Sequence, residues 1–364
     1  MKILAIDIGA GTQDILLYDP EKNIENNIKL VLPSPTQIFA KKIKKVTEKG
    51  RDLVIYGETI GGGAFTKAIK NHIKNGHKVY MSVNTALSIR NKIEEVKALG
   101  VNVFSDVETI SHLSGIENIC LYEVFLEEIF SLLSTAEEHF SDIETIAVAV
   151  LDHGKAPVGV SDRKFRVKLI EEILNDSPNP WTLAFLENEI PNSFLRMRSV
   201  VREIQNYNKK HQTNFGSLVM DTSAAAILGA INDPIVTSKR KVVAMDVGNS
   251  HTMVTVIYDN EIKAIMEHHT HMLSTEKLVN EIIALSNGKL KNETVFNEGG
   301  HGVVYLDNNI SWEEIEIVAA TGPKRKLLEK ALIPVHFASP SGDVMMTGPV
   351  GLVEAAKRKF GNEF

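Results

Sequence analysis

The stretch Ile3-Leu4-Ala5-Ile6-Asp7-Ile8-Gly9-Ala10-Gly11-Thr12-Gln13-Asp14-Ile15-Leu16-Leu17-Tyr18-Asp19 returns in kind at Val242-Val243-Ala244-Met245-Asp246-Val247-Gly248-Asn249-Ser250-His251-Thr252-Met253-Val254-Thr255-Val256-Ile257-Tyr258-Asp259. In both, an apolar strand ends in Asp-x-Gly, a turn follows, and a second apolar strand closes on Tyr, the pattern of a β-hairpin. An internal echo of this kind marks two halves of related build. We place them at residues 1–236 and 237–364. A tight turn between buried strands points backbone N–H groups into a cleft, and glycine lets a phosphate come close to them. The Asp at each strand end can hold Mg²⁺ directly or through water. Two such hairpins facing each other would clamp the phosphate tail of a nucleotide, whereas either one alone reads as a plain β-turn.

Strand and helix signals alternate outward from the first hairpin, which is the signature of an α/β layer. Residues 37–49 form an amphipathic helix built on Ile38, Phe39, Ile43 and Val46, with lysines on its wet face. A buried strand at 53–56, a helix opened by Gly61-Gly62-Gly63 and running to Lys74, a strand at 78–82 and a helix at 86–99 follow. Residues 119–139 read as one long helix. The strand at 144–151 is apolar on both faces, hence central in its sheet. The proline-rich stretch 175–191 reads as a loop or short helix inside the first half. A strand at 217–220 and a helix at 222–231 then lead through Asn232-Asp233-Pro234 to the second hairpin.

A length of 364 residues independently favours two domains. The net charge of −6 creates no demand for a polyphosphate partner, so nucleic acid is not expected. Cys120 is the single cysteine, which excludes an internal disulfide framework and any thiolate set for a zinc ribbon or iron–sulfur cluster. The N-terminal run meets Asp7 too early for the core of a signal peptide, and no apolar run nears the roughly 18 residues of a membrane span. A cytoplasmic protein with no membrane partner is the expectation.

The repeated hairpins resemble the acetate and sugar kinase, Hsp70 and actin superfamily of ATP-binding proteins. In that family the first phosphate motif resembles Asp7-Ile8-Gly9-Ala10-Gly11-Thr12, and the second resembles Asp246-Val247-Gly248-Asn249-Ser250-His251-Thr252. Val219-Met220-Asp221-Thr222-Ser223-Ala224-Ala225-Ala226 resembles the Hsp70 segment ahead of the second phosphate motif and the hexokinase Asn-Asp-Thr segment. Ile317-Val318-Ala319-Ala320-Thr321-Gly322-Pro323-Lys324-Arg325 resembles the adenosine motif. The resemblance implies α/β architecture: a two-domain actin-like ATPase fold of duplicated ribonuclease H-like domains around a central nucleotide cleft. It also implies ATP and Mg²⁺ as cofactors, with Asp7 and Asp246 toward the metal. Thr321, Gly322 and Arg325 would face the adenosine, Arg325 through cation–π stacking. Three departures stand out: Thr321 replaces the first Gly of the adenosine motif, Pro323 follows the second, and Asp14 stands where actins carry a phosphate-binding Lys. A closer resemblance is to a branch found mostly in archaea and anaerobes and sometimes labelled as related to the pyruvate formate-lyase activating enzyme. Taken literally that label requires three cluster-ligating cysteines, and this chain has one.

For chemistry, Asp221 matches the place of the hexokinase general base and the Hsp70 water-orienting carboxylate. Its position also suits an N-cap for the helix at Thr222, and the two roles can coexist. Asp152-His153-Gly154 leaves a central strand at its carboxyl end, where ligands sit in open α/β sheets. Glu298-Gly299-Gly300-His301-Gly302 again joins a His to glycines, either at a substrate or in a plain turn. Gly61-Gly62-Gly63 could cradle an anion at a helix N-terminus or simply loosen the helix start. His268, His269 and His271 are dense in sequence but lack the companions of a metal motif. The expected function is an Mg-ATP phosphotransferase acting on a small metabolite. The rival is an ATP-driven conformational switch, chaperone-like or filament-forming, and association into a homo-oligomer is left open.

Overall fold

The computed structural model describes residues 2–105 and 115–361. The chain opens with an antiparallel meander of β1 (Lys2–Ile8), β2 (Thr12–Tyr18) and β3 (Ile28–Pro33). α1 (Pro35–Glu48) starts on a proline whose missing N–H would have had no helical partner anyway. It buries Phe39, Ile43 and Val46 on one stripe and leaves Lys41, Lys42, Lys44 and Lys45 exposed.

An inserted unit follows: β4 (Asp52–Gly57), α2 (Gly63–Lys74), β5 (Val79–Ser82), α3 (Val83–Ala86), α4 (Ile93–Ala98), β6 (Val101–Phe104) and β7 (Ile116–Leu121). Its strands form a separate parallel sheet of order β6-β5-β4-β7, with Phe65, Ile69, Met81 and Ile119 in its core. Here the sequence reading needs two corrections. Residues 119–139 are not one helix: Ile119 and Leu121 turn inward while Asn118 and Cys120 turn outward, the period-two pattern of a strand paired with β4. Only α5 (Leu126–Ser134) is an α-helix in that stretch. The helix expected at 86–99 is split into α3 and α4, and the segment between them joins the wall of the central cavity.

β8 (Ile143–Val150) lies parallel beside β1, buried as its apolar sequence requires. α6 (Asp162–Asp176), β9 (Ala184–Leu186), α7 (Leu195–His211), β10 (Gly216–Met220) and α8 (Thr222–Ile231) complete the first half. The proline-rich stretch supplies β9, an edge strand antiparallel to β10. The sheet order is β3-β2-β1-β8-β10-β9.

The second half repeats this plan. β11 (Lys241–Val247), β12 (His251–Tyr258) and β13 (Glu261–His269) form the meander, followed by α9 (Thr275–Ser286), α10 (Asn292–Asn297) and β14 (Gly302–Tyr305). β15 (Ile317–Thr321) and β16 (His336–Phe337) run parallel on the far side of β11, and α11 (Thr347–Lys359) ends the chain's regular structure. Five strands, β13-β12-β11-β15-β16, match β3-β2-β1-β8-β10 of the first sheet, a meander on one side and two parallel strands on the other, while β14 and β9 add antiparallel strands at opposite edges. α8 follows β10 as α11 follows β16. This is α/β architecture in which one strand plan is built twice. α8 packs on β11 and β15 of the opposite sheet, and α11 packs back on β1, β2 and β8. The two helices cross where Gly229 meets Thr347 and Gly351 meets Ala225, so closely that a Cβ at either glycine would collide with a backbone carbonyl. Among the described residues, no helix is long and apolar enough to cross a membrane.

Candidate active site

The two hairpins share their turn chemistry as well as their sequence pattern. Gly9 N donates to Thr12 O at 2.9 Å, and Gly248 N donates to His251 O at 2.9 Å. Each turn is braced by the residue that leaves the third strand of its meander: Ser34 N donates to Gly11 O at 3.1 Å, and Thr270 N to Ser250 O at 3.0 Å. Side-chain hydroxyls add to the brace, from Ser34 to Ala10 O at 3.2 Å and from Thr270 to Gly248 O at 2.8 Å. The turns meet across the cleft, since a Cβ on Gly11 would lie 3.1 Å from Asn249 Nδ2.

Between them lies a cavity of about 540 Å³. Asp7, Gly9, Ala10, Thr12, Asp246, Gly248, Asn249, Ser250, His251, Thr321 and Gly322 all line it, so most of the residues expected to hold a nucleotide come together. Gly11 packs against Asn249 instead, and Arg325 folds back so that its Nη1 donates to Gly322 O at 3.0 Å.

The first turn of α8 ties the two halves at this point. Thr222 Oγ1 donates to Asp7 Oδ1 at 2.6 Å, and its neighbour Ser223 donates to Asp246 Oδ2 at 3.2 Å. Gly348 abuts Asp7 and Gly322 abuts Asp246, each where a Cβ would strike the carboxylate. Burial pushes the Asp7 carboxyl up to about 7. Burial and then the neighbouring Asp7 push Asp246 up to about 8. Asp14 stands opposite Asp7 in the β1–β2 register, and the same two causes push it up to about 8. Asp7, Asp14 and Asp246 thus bring carboxylate oxygens, the hard donors that Mg²⁺ takes, to the lining of one cavity.

Asp221 lies behind this wall. Its Oδ1 accepts from Ser223 N at 3.1 Å and Ala224 N at 3.5 Å, the helix cap its position suggests, and its Oδ2 sits 2.8 Å from Arg166 Nη1. Asp152 lines the cavity, where burial pushes its carboxyl up. Its Oδ1 accepts from Gly154 N at 2.9 Å and its Oδ2 from the N–H groups of Arg196 at 2.7 Å and Met197 at 3.1 Å, which fixes the start of α7. Gly61-Gly62-Gly63 also borders the cavity, with Gly61 N donating to Glu123 Oε2 at 2.9 Å. Glu123 is gripped in turn by the Arg196 guanidinium at 2.9 and 2.6 Å.

The histidines regroup. His268 and His269 are consecutive on β13 and therefore face opposite ways. His268 is buried against Lys277, its Nε2 3.3 Å from Lys277 Nζ, while His269 faces the cavity with His153, His251 and His301. The cluster is drawn from four chain segments, and of His268, His269 and His271 only His269 joins it. Burial pushes His251 down to about 3 and His153 well below the ordinary imidazole value, so both rings are neutral near pH 7.

Arg166 was invisible to motif reading. It is 1% exposed, with Nε donating to Glu267 Oε2 at 2.6 Å and Nη1 to the carbonyl of Asp152 at 2.9 Å, beside its pairing with Asp221. Glu267 in turn lies 3.2 Å from His301 Nδ1. The available signals were an arginine on the helical stripe of Ile170 and Leu174, and a glutamate between the apolar run Ala264-Ile265-Met266 and the histidines of its strand.

Among solved structures, a ROK hexokinase from Thermus thermophilus aligns over 99% of this chain and 100% of its own, at 10% identity and a TM-score of 0.33. A ROK family glucokinase from Streptomyces griseus, in complex with glucose and AMPPNP, aligns over 99% and 100%, at 10% identity and a TM-score of 0.34. MreB5 of Spiroplasma citri, bound to ADP, aligns over 99% and 97%, at 10% identity and a TM-score of 0.32. No curated protein sequence matches the chain. A family model matches residues 60–327, and the chain belongs to that family, described as "Putative pyruvate format-lyase activating enzyme (DUF1786)".

Proposed function

We propose that the protein is an Mg²⁺-ATP-dependent phosphotransferase acting on a small metabolite. The observation that carries the reading is the pair of equivalent hairpins whose Asp7 and Asp246 converge on one cavity. The turns around Gly9 and Gly248 would grip the phosphate tail through backbone N–H groups, and Thr321 and Gly322 would border the nucleoside. Asp7 and Asp246 would hold Mg²⁺, which supplies neutralisation of the charge that builds on the transferred group. Phosphoryl transfer asks mostly for positioning and electrostatics, so the burden falls on the hairpins rather than on a single base. We assign Asp221 a positioning role: it caps α8 and thereby sets Thr222 and Ser223 against the two metal-binding carboxylates. The acceptor would sit toward the inserted sheet, where Arg90 and Lys155 border the cavity and favour an anionic metabolite.

The test is ATP turnover by the full chain against a panel of small metabolites, hydroxylated and anionic. Metabolite-dependent ADP release is expected, and Asp7→Asn or Asp246→Asn should lower it by about 10² to 10³-fold. Unchanged turnover in both variants would remove the nucleotide clamp. One observation favours the rival reading of an ATP-driven switch: the glycine crossing of α8 and α11 is a joint about which the halves could rotate. Light scattering that rises with ATP, without any phosphorylated product, would select that reading.

A further inference from the structure

Beyond the phosphate clamp, the cleft contains a second cluster whose chemistry is not that of Mg²⁺. His153 follows β8, His251 opens β12 and His301 precedes β14, so three distant segments deliver three imidazoles to one place. Their ring centroids form a near-equilateral triangle, 5.2 Å from His153 to His251, 5.2 Å from His153 to His301, and 5.0 Å from His251 to His301. One ligand nitrogen from each lies within 4.8 Å of the others. Metal–imidazole bonds of about 2.0 to 2.1 Å place nitrogens about 3.4 Å apart around a tetrahedral ion, a closure within reach of small side-chain adjustments.

Two further features point to a ligand. His301 is 1% exposed and its Nε2 has no hydrogen-bond partner, as is also true of His251 Nε2. The opposite nitrogen of His301 faces Glu267, itself held by Arg166. A carboxylate behind a histidine is the arrangement that fixes the ring and its tautomer in metal centres, leaving the other nitrogen free to bind. The other candidate group, His268 with Glu281 and Glu298, carries no such invitation, because Lys277 already lies 2.6 Å from Glu298 and 3.8 Å from Glu281.

We propose that His153, His251 and His301 form a mononuclear site for a borderline divalent transition metal of the zinc and iron(II) class, with Glu267 and Arg166 as its positioning shell. Imidazole donors select this class over Mg²⁺. Three protein ligands leave a coordination position open, and all three side chains border the central cavity, so that position faces the place where substrate enters. His153 comes from the first half and the others from the second, so the ion also bridges the two.

The test needs no nucleotide and is independent of the kinase reading. The full chain, stripped with chelator, is dialysed against Zn²⁺ and separately titrated with Co²⁺, whose visible absorption reports coordination by nitrogen. One ion per chain is expected, with binding retained in Asp7→Asn. His301→Ala and His153→Ala should each weaken binding by at least about 100-fold, and Glu267→Gln by about 10 to 100-fold. His271→Ala should bind as the parent does. Thermal melts establish that each variant is folded, and should His301→Ala fail to fold, His301→Asn and His153→Ala decide the matter. No uptake of Zn²⁺ or Co²⁺ by the parent chain, or uptake equal to the parent's in folded His153→Ala, would overturn the site.

Discussion

Arg166 shows how much a single buried side chain can connect. Its guanidinium joins Asp221 at the head of α8 to Glu267 on β13, so one residue bonds the two halves beneath the cleft. Replacing it with Met keeps much of its volume but leaves two carboxylates buried without their cation. Breaking such a buried pair is commonly worth about 3 to 5 kcal/mol, and a fall in the unfolding midpoint of that order is expected. Adding Asp221→Asn and Glu267→Gln to Arg166→Met should restore part of the loss, and no restoration would mean that packing rather than charge explains it. Asp14 offers a second check. Burial and the neighbouring Asp7 raise its folded value to about 8, far above the 3.8 of an ordinary Asp carboxyl, so the folded state binds more protons than the unfolded chain. The stability Asp14 contributes is therefore greatest at acid pH and is lost as pH rises from about 4 through about 8. The neutral buried histidines act in the opposite sense, so the informative quantity is the difference between proteins. Asp14→Asn should gain on the parent steadily as metal-free buffer is raised from about pH 5 to about pH 8, and added Mg²⁺ should shrink the gain. A difference that does not vary with pH would mean the Asp14 carboxyl is not strained.

At the scale of elements, the crossing of α8 and α11 sets two known effects against each other. Gly229 sits inside α8, where Ala would ordinarily gain about 1 kcal/mol in helix propensity. Its Cβ would, however, run into the Thr347 carbonyl, and backbone cannot yield as a side chain does. Overpacking of this kind costs about 1 to 3 kcal/mol, so Gly229→Ala should lower the urea midpoint, as should Gly351→Ala. A stabilised Gly229→Ala protein would show that the helices can separate freely. This crossing was not legible in the sequence, because the glycines touch only through tertiary contact and look like weak spots in a helix. The hairpins were legible for the opposite reason: Asp7, Gly9 and Tyr18 and their echoes at Asp246, Gly248 and Tyr258 are local signals, repeated. β7 was lost to a helix because Ile119 and Leu121 alternate over too few residues to outweigh the long apolar run after them. The histidine site was half visible. His153 and His301 stood out beside glycines, whereas His269 was hidden in a run, His268 to His271, that lacks the companions of a metal motif and whose neighbours on a strand point apart. Glu267 and Arg166, which complete the arrangement, carry no motif.

At the scale of the whole molecule, the halves are joined by a hydrophobic cluster that belongs to both. A continuous cluster runs from Ile3, Ala5 and Leu218 of the first sheet through Ala225, Leu228, Val350 and Leu352 of the crossed helices to Val242, Ala244 and Met253 of the second. Apolar surface buried between two sheets through exchanged helices cannot be exposed for one half without being exposed for the other. The full chain should consequently unfold in a single calorimetric transition despite its length, where independent domains would give two. Mg²⁺-ATP should move that transition upward as a unit, because a ligand gripped by both hairpins stabilises whatever unfolds with them, by about 2.7 kcal/mol at a concentration 100 times its dissociation constant. Asp246→Asn should blunt the upward shift while leaving a single transition. Residues 1–236 expressed alone lose α11 from the face of β1, β2 and β8, so that fragment should bind apolar dye and melt broadly. Two transitions in the parent, only one of them responsive to Mg²⁺-ATP, would mean that the nucleotide engages one hairpin rather than both, and the clamp would have to be abandoned along with the joining role of the shared cluster.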